Sequence, residues 1–320
     1  MTQQSLNHPK GLSSNKITVM MLSVILLWGL NVVMLKYLTN FFPPLALPGI
    51  RMTLAAAFLL PTLYYPNGRQ PVPREAWLPI CGVALFSIVM HQITLSLGVS
   101  STSATHAALI LALNPLTTTL AASLLVNEPL NWSKSIGVAF GLSGILLIIT
   151  GKAAAGQATM GGDGLMLIAM LTYVAGSLCV KKGTEYTSPL VITAYSHLIA
   201  APVLLVINAT INPIWVNEGA FALLPIAILF FSSWFSTALG ALLWNTGVHH
   251  IGASTASLFL NGSPIVSFFA SAVFLDEQLI WKHYVALVLV LLGVSLGTGT
   301  LTNWLHKEYH AKENTTCAKP

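Results

Sequence analysis

The sequence predicts an all-α integral membrane protein with about ten transmembrane helices, arranged as two five-helix repeats of inverted topology. Composition is the first indication, because the 320 residues are 55% hydrophobic and 7% charged, whereas soluble domains carry about 25% charged residues. The second is a series of apolar runs of about 20 residues, the length that crosses a bilayer as a helix. The third is an internal repeat, in which segment 98–144 is matched without a gap by segment 247–293.

Turn-forming stretches separate the apolar runs and set the order of the helices. Pro43-Pro44, the stretch from Pro66 to Gly68 and the pair Asn212-Pro213 are breaks of this kind. The ten expected helices are 17–38, 45–65, 77–97, 104–126, 133–150, 164–181, 189–209, 221–248, 253–275 and 283–301.

The repeat contains thirteen identities over 47 positions, beginning with Gly98 and Gly247 and ending with Gly144 and Gly293. The start of each half also matches, at an offset of 145 residues, as in the pair Pro44 and Pro189. The expected organisation is an N-terminal tail 1–16, a first repeat 17–152, a linker 153–162, a second repeat 163–302 and a C-terminal tail 303–320.

The distribution of basic residues predicts the orientation in the membrane. With a cytoplasmic amino terminus, ten lysines and arginines fall on the inner side and three on the outer side. Positive residues are enriched in cytoplasmic loops, so both termini are expected in the cytoplasm. Because each half holds an odd number of helices, the second half is inserted upside down relative to the first.

Other function classes lack their sequence signals. The net charge is +5, but the basic residues form no stripe with interleaved aromatic residues, so nucleic-acid binding is not expected. A phosphate-binding loop, a nucleophile elbow and a helical zinc pair are all missing from the sequence. We therefore expect no enzyme activity, no catalytic or metal-binding residues and no cofactor.

Polar and aromatic residues inside the apolar runs are the candidates for substrate binding, because a polar side chain in hydrocarbon must face a partner or a wet cavity. The alternative for each is interhelical hydrogen bonding or packing. The candidates are Trp28, Asn31, Arg51, His91, Gln92, His106, Asn114, Tyr173, Ser177, Tyr195, His197, Trp234, Ser257 and Asn261.

Five of these candidates rest on specific arguments. Helical spacing places His106 and Asn114 on one face, and Ser257 and Asn261 on another. Arg51 is expected about 8–10 Å below the outer surface from the helical rise. It either binds a substrate carboxylate or extends to the outer headgroups.

Paired prolines at equivalent repeat positions are the candidate hinges. Pro115 and Pro264 each remove a backbone donor and are expected to kink their helices. Paired interruptions in corresponding helices point to a transporter's central site, although prolines also serve packing alone.

The acidic residues are few, and none is expected deep within a helix. A permeating organic cation would therefore lack a buried counter-ion, which argues against a cation-drug pump. Any proton coupling would have to use histidines or Glu128 and Glu277, which end the fourth and ninth helices.

Several motifs together resemble the EamA-type domain. They are Trp28-Gly29, Asn31, Lys36, Arg51, Gly98-Val99, Asn114-Pro115 and Asn127-Glu128-Pro129-Leu130, with Gly247, Ala256-Ser257, Pro264, Asp276-Glu277-Gln278-Leu279 and Gly293 in the second half. The whole chain resembles the ten-helix branch of the drug/metabolite transporter superfamily. The resemblance implies a basket-like fold with a central opening, alternating access and transport of small metabolites, and it implies a structural helix-end role for Glu128 and Glu277.

These observations predict a secondary active or facilitative transporter that exports a small metabolite, such as an amino acid or related neutral or zwitterionic solute. The alternatives are a multidrug efflux permease, a non-transporting membrane scaffold or sensor, and an integral-membrane enzyme. The expected location is the bacterial cytoplasmic (inner) membrane. The expected partners are the lipid bilayer and the solute, with protons as a candidate coupling ion, in a monomer or weak dimer.

Overall fold

A computed structural model describes residues 14–63, 72–126, 132–149, 159–211 and 216–297. Within these ranges the regular structure is helical throughout, and no strand is present. The α-helices are α1 (Ser14–Leu38), α2 (Ala46–Leu59), α3 (Arg74–Val83), α4 (His91–Ser101), α5 (Ala104–Leu111), α6 (Asn114–Val126), α7 (Trp132–Ile149), α8 (Met160–Gly183), α9 (Pro189–Ile211), α10 (Leu223–Phe231), α11 (Gly240–Phe259), α12 (Ser263–Phe274) and α13 (Trp281–Gly297).

The helices have the length and the outer surface of a membrane protein. Large apolar side chains lie on the outside, where Leu78, Trp132 and Leu223 are 83%, 84% and 86% exposed. Shorter apolar helices cover 135–147, 260–274 and 281–296. The helices apolar and long enough to cross a bilayer are Asn15–Leu38, Ala46–Leu63, Arg74–Ser101, Met160–Gly183, Pro189–Ile211 and Leu223–Ile251. Six helices in the described ranges meet this length, and the expectation of ten spans remains a prediction.

Helix packing follows the sequence repeat. Helix α1 packs against α11 and α12, and its counterpart α8 packs against α3 and α4. Helix α2 packs against its counterpart α9, and α7 packs against its counterpart α13. The α2–α9 and α7–α13 pairs therefore each join a helix of one half to its own counterpart in the other half.

Glycine contacts repeat in the same way. Gly98 in α4 leaves room for the sulfur of Met166 in α8, and Gly247 in α11 leaves room for the sulfur of Met21 in α1. Gly98 and Gly247 are repeat mates at 149 residues, and Met21 and Met166 are mates at 145. A side chain on either glycine would displace its methionine, so equivalent close approaches join α1 to α11 and α8 to α4.

Two π-helical segments occupy equivalent positions in the halves. The first covers Ala84–Met90 and joins α3 to α4, and the second covers Ser232–Leu239 and joins α10 to α11. Adding the repeat offset of 149 to the first gives 233–239. Such widened turns are rare and are frequently found at functional sites.

The helix breaks differ from the expected proline kinks. A turn at Ala112 and Leu113 separates α5 from α6, and a 3-10 turn at Leu260–Gly262 separates α11 from α12. Pro115 and Pro264 are the second residues of the helices that follow. Proline is favoured there, since the first helical N–H groups lack intrahelical partners. The prolines start new helices and do not bend continuous ones.

The expected break between residues 248 and 253 is wrong. Helix α11 continues from Gly240 to Phe259, because residues 249–252 include no proline and the backbone hydrogen bonding can continue. In the first half, by contrast, the chain is interrupted between α4 and α5 at Thr102 and Ser103. The Ser103 side chain accepts a hydrogen bond from the His106 N–H, which caps α5.

Candidate functional site

A cavity of about 150 Å³ lies between helices of both halves. It is lined by α1 to α6 from the first half and by α8, α9, α11 and α12 from the second. Both π segments also contribute to the wall, through Ser87 in the first and Ser236 and Thr237 in the second. The predicted binding and hinge residues that line this cavity are Trp28, Asn31, His91, Gln92, Asn114, Tyr173, Ser177, His197 and Pro264.

One wall of the cavity is aromatic. The Trp28 ring lies 5.8 Å from Tyr173, edge to face, and 5.4 Å from Trp244. The Trp28 indole N–H donates to the Ser236 carbonyl oxygen at 2.9 Å, which fixes the ring against the second π segment. The His91 ring lies 5.1 Å from Tyr173 and continues this wall. Such a surface suits the apolar or flat part of a solute.

Two histidines of the wall are held by backbone carbonyl groups. His91 Nδ1 lies 2.8 Å from the Ala169 carbonyl oxygen, and His197 Nδ1 lies 2.7 Å from that of Thr193. A carbonyl oxygen only accepts, so Nδ1 is the donating nitrogen in both rings. The neutral rings then present Nε2 as an acceptor.

Arg51 is buried beside the cavity, with 1% of its surface exposed. Its Nη2 donates to Asn31 Oδ1 at 3.0 Å and to Thr237 Oγ1 at 2.8 Å, and its Nη1 donates to Gln92 Oε1 at 3.3 Å. Its Nε is buried without a hydrogen-bond partner. Of the two alternatives for this residue, extension to the outer headgroups does not occur, because the guanidinium is enclosed by protein.

The cavity contains no acidic lining residue in the part of the chain that the structure describes. Arg51 likewise makes no ion pair with a carboxylate of the described residues. A buried guanidinium held only by neutral oxygens is electrostatically costly, because its charge is removed from water without a counter-ion. Within the described ranges no group of three or more His, Cys, Asp or Glu residues could hold a metal ion.

His106 lies away from the cavity. Its Nδ1 is 3.1 Å from Asp163 Oδ2, and Thr102 donates to Asp163 Oδ1. The spacing that placed His106 on the face of Asn114 applies to a continuous helix, and the turn at Ala112–Leu113 breaks it. The Asp163 side chain is 2% exposed. The sequence did not indicate it as the partner of His106, because Asp163 stands at the start of an apolar run.

Three other candidates also lie outside the cavity lining. Tyr195 contacts Trp77 at 5.5 Å, and Trp234 stacks on Phe58 at 5.8 Å, so both rings pack between helices. Asn261 lies in the 3-10 turn, where the helical spacing from Ser257 no longer applies. The side chain of Ser257 and all of Glu128 lie outside the described residues.

Glu277 caps the first turn of α5. Its carboxylate accepts from the backbone N–H of Ala104 at 2.6 Å, from that of Thr105 at 3.0 Å and from the Thr105 hydroxyl at 2.6 Å. A carboxylate at this position satisfies free N–H groups and complements the helix dipole. The loop after α12 is thereby joined to the first half of the molecule.

The sequence reasoning missed several lining residues of the second half. Among them are Thr237, Trp244 and Asn245, and Asn245 donates to Thr193 Oγ1 at 2.7 Å. The Trp244-Asn245 pair carried a usable signal, since an aromatic residue near an amide inside an apolar run had already selected Trp28 and Asn31. Thr237 carried none, because isolated hydroxyl residues are common in membrane helices.

Comparison with known proteins identifies the family. The family model described as "EamA-like transporter family" matches residues 15–150 and again residues 160–298. The chain belongs to the EamA-like transporter family.

Relatives of the chain are named as transporters. The "Uncharacterized transporter YyaM" of Bacillus subtilis (strain 168) is 29% identical over 297 residues, covering 89% of this chain and 94% of that protein. The "Probable amino-acid metabolite efflux pump" of Escherichia coli (strain K12) is 24% identical over 294 residues, covering 88% and 94%. A solved crystal structure has the same fold, with a TM-score of 0.65, 18% identity and coverage of 91% of this chain and 99% of that chain.

Proposed function

We propose that this EamA-like protein is a secondary transporter that exports a small metabolite through the central cavity by alternating access. The observation that carries the proposal is a cavity, lined by polar and aromatic residues, to which both repeats contribute. Secondary transporters place their substrate site between repeats in this way.

The repeated packing supports alternating access by two inverted halves. The α2–α9 and α7–α13 pairs join equivalent helices, and the π segments and the glycine–methionine contacts occupy equivalent positions in the two halves. When the two halves pack in similar ways, the states open to either side of the membrane have comparable free energies. The turns before Pro115 and Pro264 are the proposed hinges, since each lets half a helix move against the rest.

Two observations support export of an amino-acid-like solute: the similarity to a named efflux pump and the positive charge of Arg51. One relative is named as an amino-acid metabolite efflux pump, which favours a small polar metabolite for this chain. An organic cation would lie near Arg51 with no acidic lining residue among those described, so multidrug cation efflux is disfavoured. Protons remain the proposed coupling ion, and the bacterial inner membrane with both termini in the cytoplasm is the proposed setting.

Counterflow in proteoliposomes tests the proposal. Purified protein is placed in vesicles loaded with an unlabelled solute, and uptake of the same labelled solute is followed from outside. A carrier exchanges internal for external solute and shows a transient labelled overshoot, which protein-free vesicles do not. Amino acids, carboxylic acids and organic cations form the panel, and absence of counterflow for every member would contradict transport.

A further inference from the structure

Arg51 fixes the orientation of two amide side chains on the cavity wall. A guanidinium only donates hydrogen bonds, so Asn31 and Gln92 must turn their oxygens toward it. Ser232 adds a second donor to Asn31 Oδ1, at 2.7 Å. The hydrogen-bond network therefore assigns the oxygen and nitrogen of both amides.

The NH₂ groups of these amides are consequently directed away from Arg51. Asn31 and Gln92 both line the cavity. Neither amide nitrogen is among the buried polar atoms without a partner, and neither donates to an acceptor of the described residues. The two NH₂ groups are thus open to the cavity, as donors ready for an acceptor on the solute.

The positive charge of Arg51, which holds these two amides, is uncompensated. Arg51 is 1% exposed, its contacts are neutral oxygens, and no described lining residue is acidic. In a low-dielectric interior this charge favours an anion at the donors, and hydrogen bonds to a charged acceptor are stronger than neutral ones. A neutral acceptor would gain the hydrogen bonds but leave the charge uncompensated.

We infer that the cavity binds its solute through a carboxylate, held by the NH₂ groups of Asn31 and Gln92. Arg51 is a positioning residue, which orients the two amides and supplies the charge without touching the solute. The body of the solute lies on the rings of Trp28 and Tyr173, and an amino group is not required. This inference rests on the proposed transport function, since it names the cargo of the same site.

Matched acids and amides test the inference on the purified full-length protein. The probes are phenylacetate with phenylacetamide, phenylalanine with phenylalaninamide, and leucine with leucinamide, each titrated by thermal shift in detergent. At least one acid is expected to bind about tenfold or more tightly than its amide, as a lost charged hydrogen bond predicts. Equal binding of acids and amides, binding of amides alone, or no acid binding would each overturn the inference.

The variant Gln92→Glu distinguishes a loss of carboxylate binding from a general loss of stability. A glutamate there is nearly identical in shape, pairs with Arg51 and removes the NH₂ donor, so acids should lose about tenfold or more in affinity while amides do not. Asn31→Asp makes the same change on the other donor, should Gln92→Glu not fold. Gln278→Glu, exposed in the loop after α12, is the matched control and should keep the wild-type ratio of acid to amide affinity.

The outcomes distinguish this inference from the proposed function. A purely structural role for Gln92 would lower the melting temperature and leave the ratio of acid to amide affinity unchanged, which would overturn the carboxylate site. Acid binding in detergent without counterflow in vesicles would contradict the transporter and leave the site standing. Counterflow of solutes without an acid preference would contradict the site alone.

Discussion

Individual polar residues join the two halves of this molecule through buried contacts. The His106–Asp163 pair and the Glu277 cap both cross between the first repeat and the second. The His106–Asp163 pair has no counterpart of the same residue types, because the mates of His106 and Asp163 are Thr255 and Thr18. The two halves thus differ most in their individual polar residues. One of these is Arg51, whose counterpart is Ser196.

Loss of the Asp163 carboxylate is expected to destabilise the protein. In Asp163→Asn one of the two donors, Thr102 or His106, faces an NH₂ group in place of an acceptor. An unsatisfied buried group of this kind costs about 1–3 kcal/mol in the free energy of unfolding. The melting temperature of the purified protein measures the change.

Asp276→Asn is the control for Asp163→Asn. Asp276 is exposed and has a backbone φ of 52°, a conformation that asparagine also adopts readily. The melting temperature of Asp276→Asn should match that of the wild type. If Asp163→Asn also melted at the wild-type temperature, the buried pair would have no structural importance.

The Glu277 cap gives a second prediction for a single side chain. Glu277→Ala leaves the N–H groups of Ala104 and Thr105 without acceptors, and should lower the free energy of unfolding by about 1–2 kcal/mol, as for other helix caps. Glu185→Ala is the control, because its 2.6 Å pair with Lys182 lies in solvent and such pairs contribute little. Equal melting temperatures for the two variants would contradict the capping role.

Helix breaks explain why two of the predicted residues lie outside the cavity lining. Trp28, Asn31, His91 and Tyr173 line the cavity, because helical spacing holds along the helices that carry them. His106 and Asn261 do not, because turns at Ala112–Leu113 and Leu260–Gly262 reset the helical phase. Tertiary packing decides where a membrane helix breaks, and periodicity alone cannot show it.

At the scale of elements, backbone contact between small residues decides how the helices pair. Helix α13 lies against the α7 backbone at Gly293, where an added Cβ would lie 2.5 Å from the Gly141 nitrogen and 2.7 Å from the Gly137 carbonyl oxygen. Both glycine-rich helices were expected from apolar length, but their direct pairing was not. A glycine in an apolar run does not say which neighbour approaches it.

Gly293→Val is expected to separate α7 from α13. Valine would press against the α7 backbone, which cannot rotate away, and overpacking of this kind costs about 1–3 kcal/mol. Gly164→Val in α8 is the control, since nothing lies within 4 Å of a Cβ there. The melting temperature should fall more for Gly293→Val than for Gly164→Val, and the reverse order would contradict close α7–α13 packing.

At the scale of the whole molecule, the duplication accounts for the helix packing and for the position of the cavity better than any single contact does. Each half alone leaves α1, α2 and α7, or their counterparts, without the neighbours that cover them in the intact fold. The cavity lies where the halves meet, so the proposed binding and the proposed movement share one interface. The sequence showed the duplication directly, whereas the neutral contacts that enclose Arg51 emerged only from the three-dimensional arrangement.

The accessibility of one cavity residue tests the central claim most directly. Asn114→Cys, introduced after Cys81, Cys179 and Cys317 are replaced, places a thiol on the cavity wall in sealed vesicles. Alternating access predicts modification by a membrane-impermeant thiol reagent from either side, and Ala286→Cys, 0% exposed in α13, should stay unmodified. Modification of Asn114→Cys from one side only, or from neither, would contradict a cavity that opens alternately to both sides of the membrane.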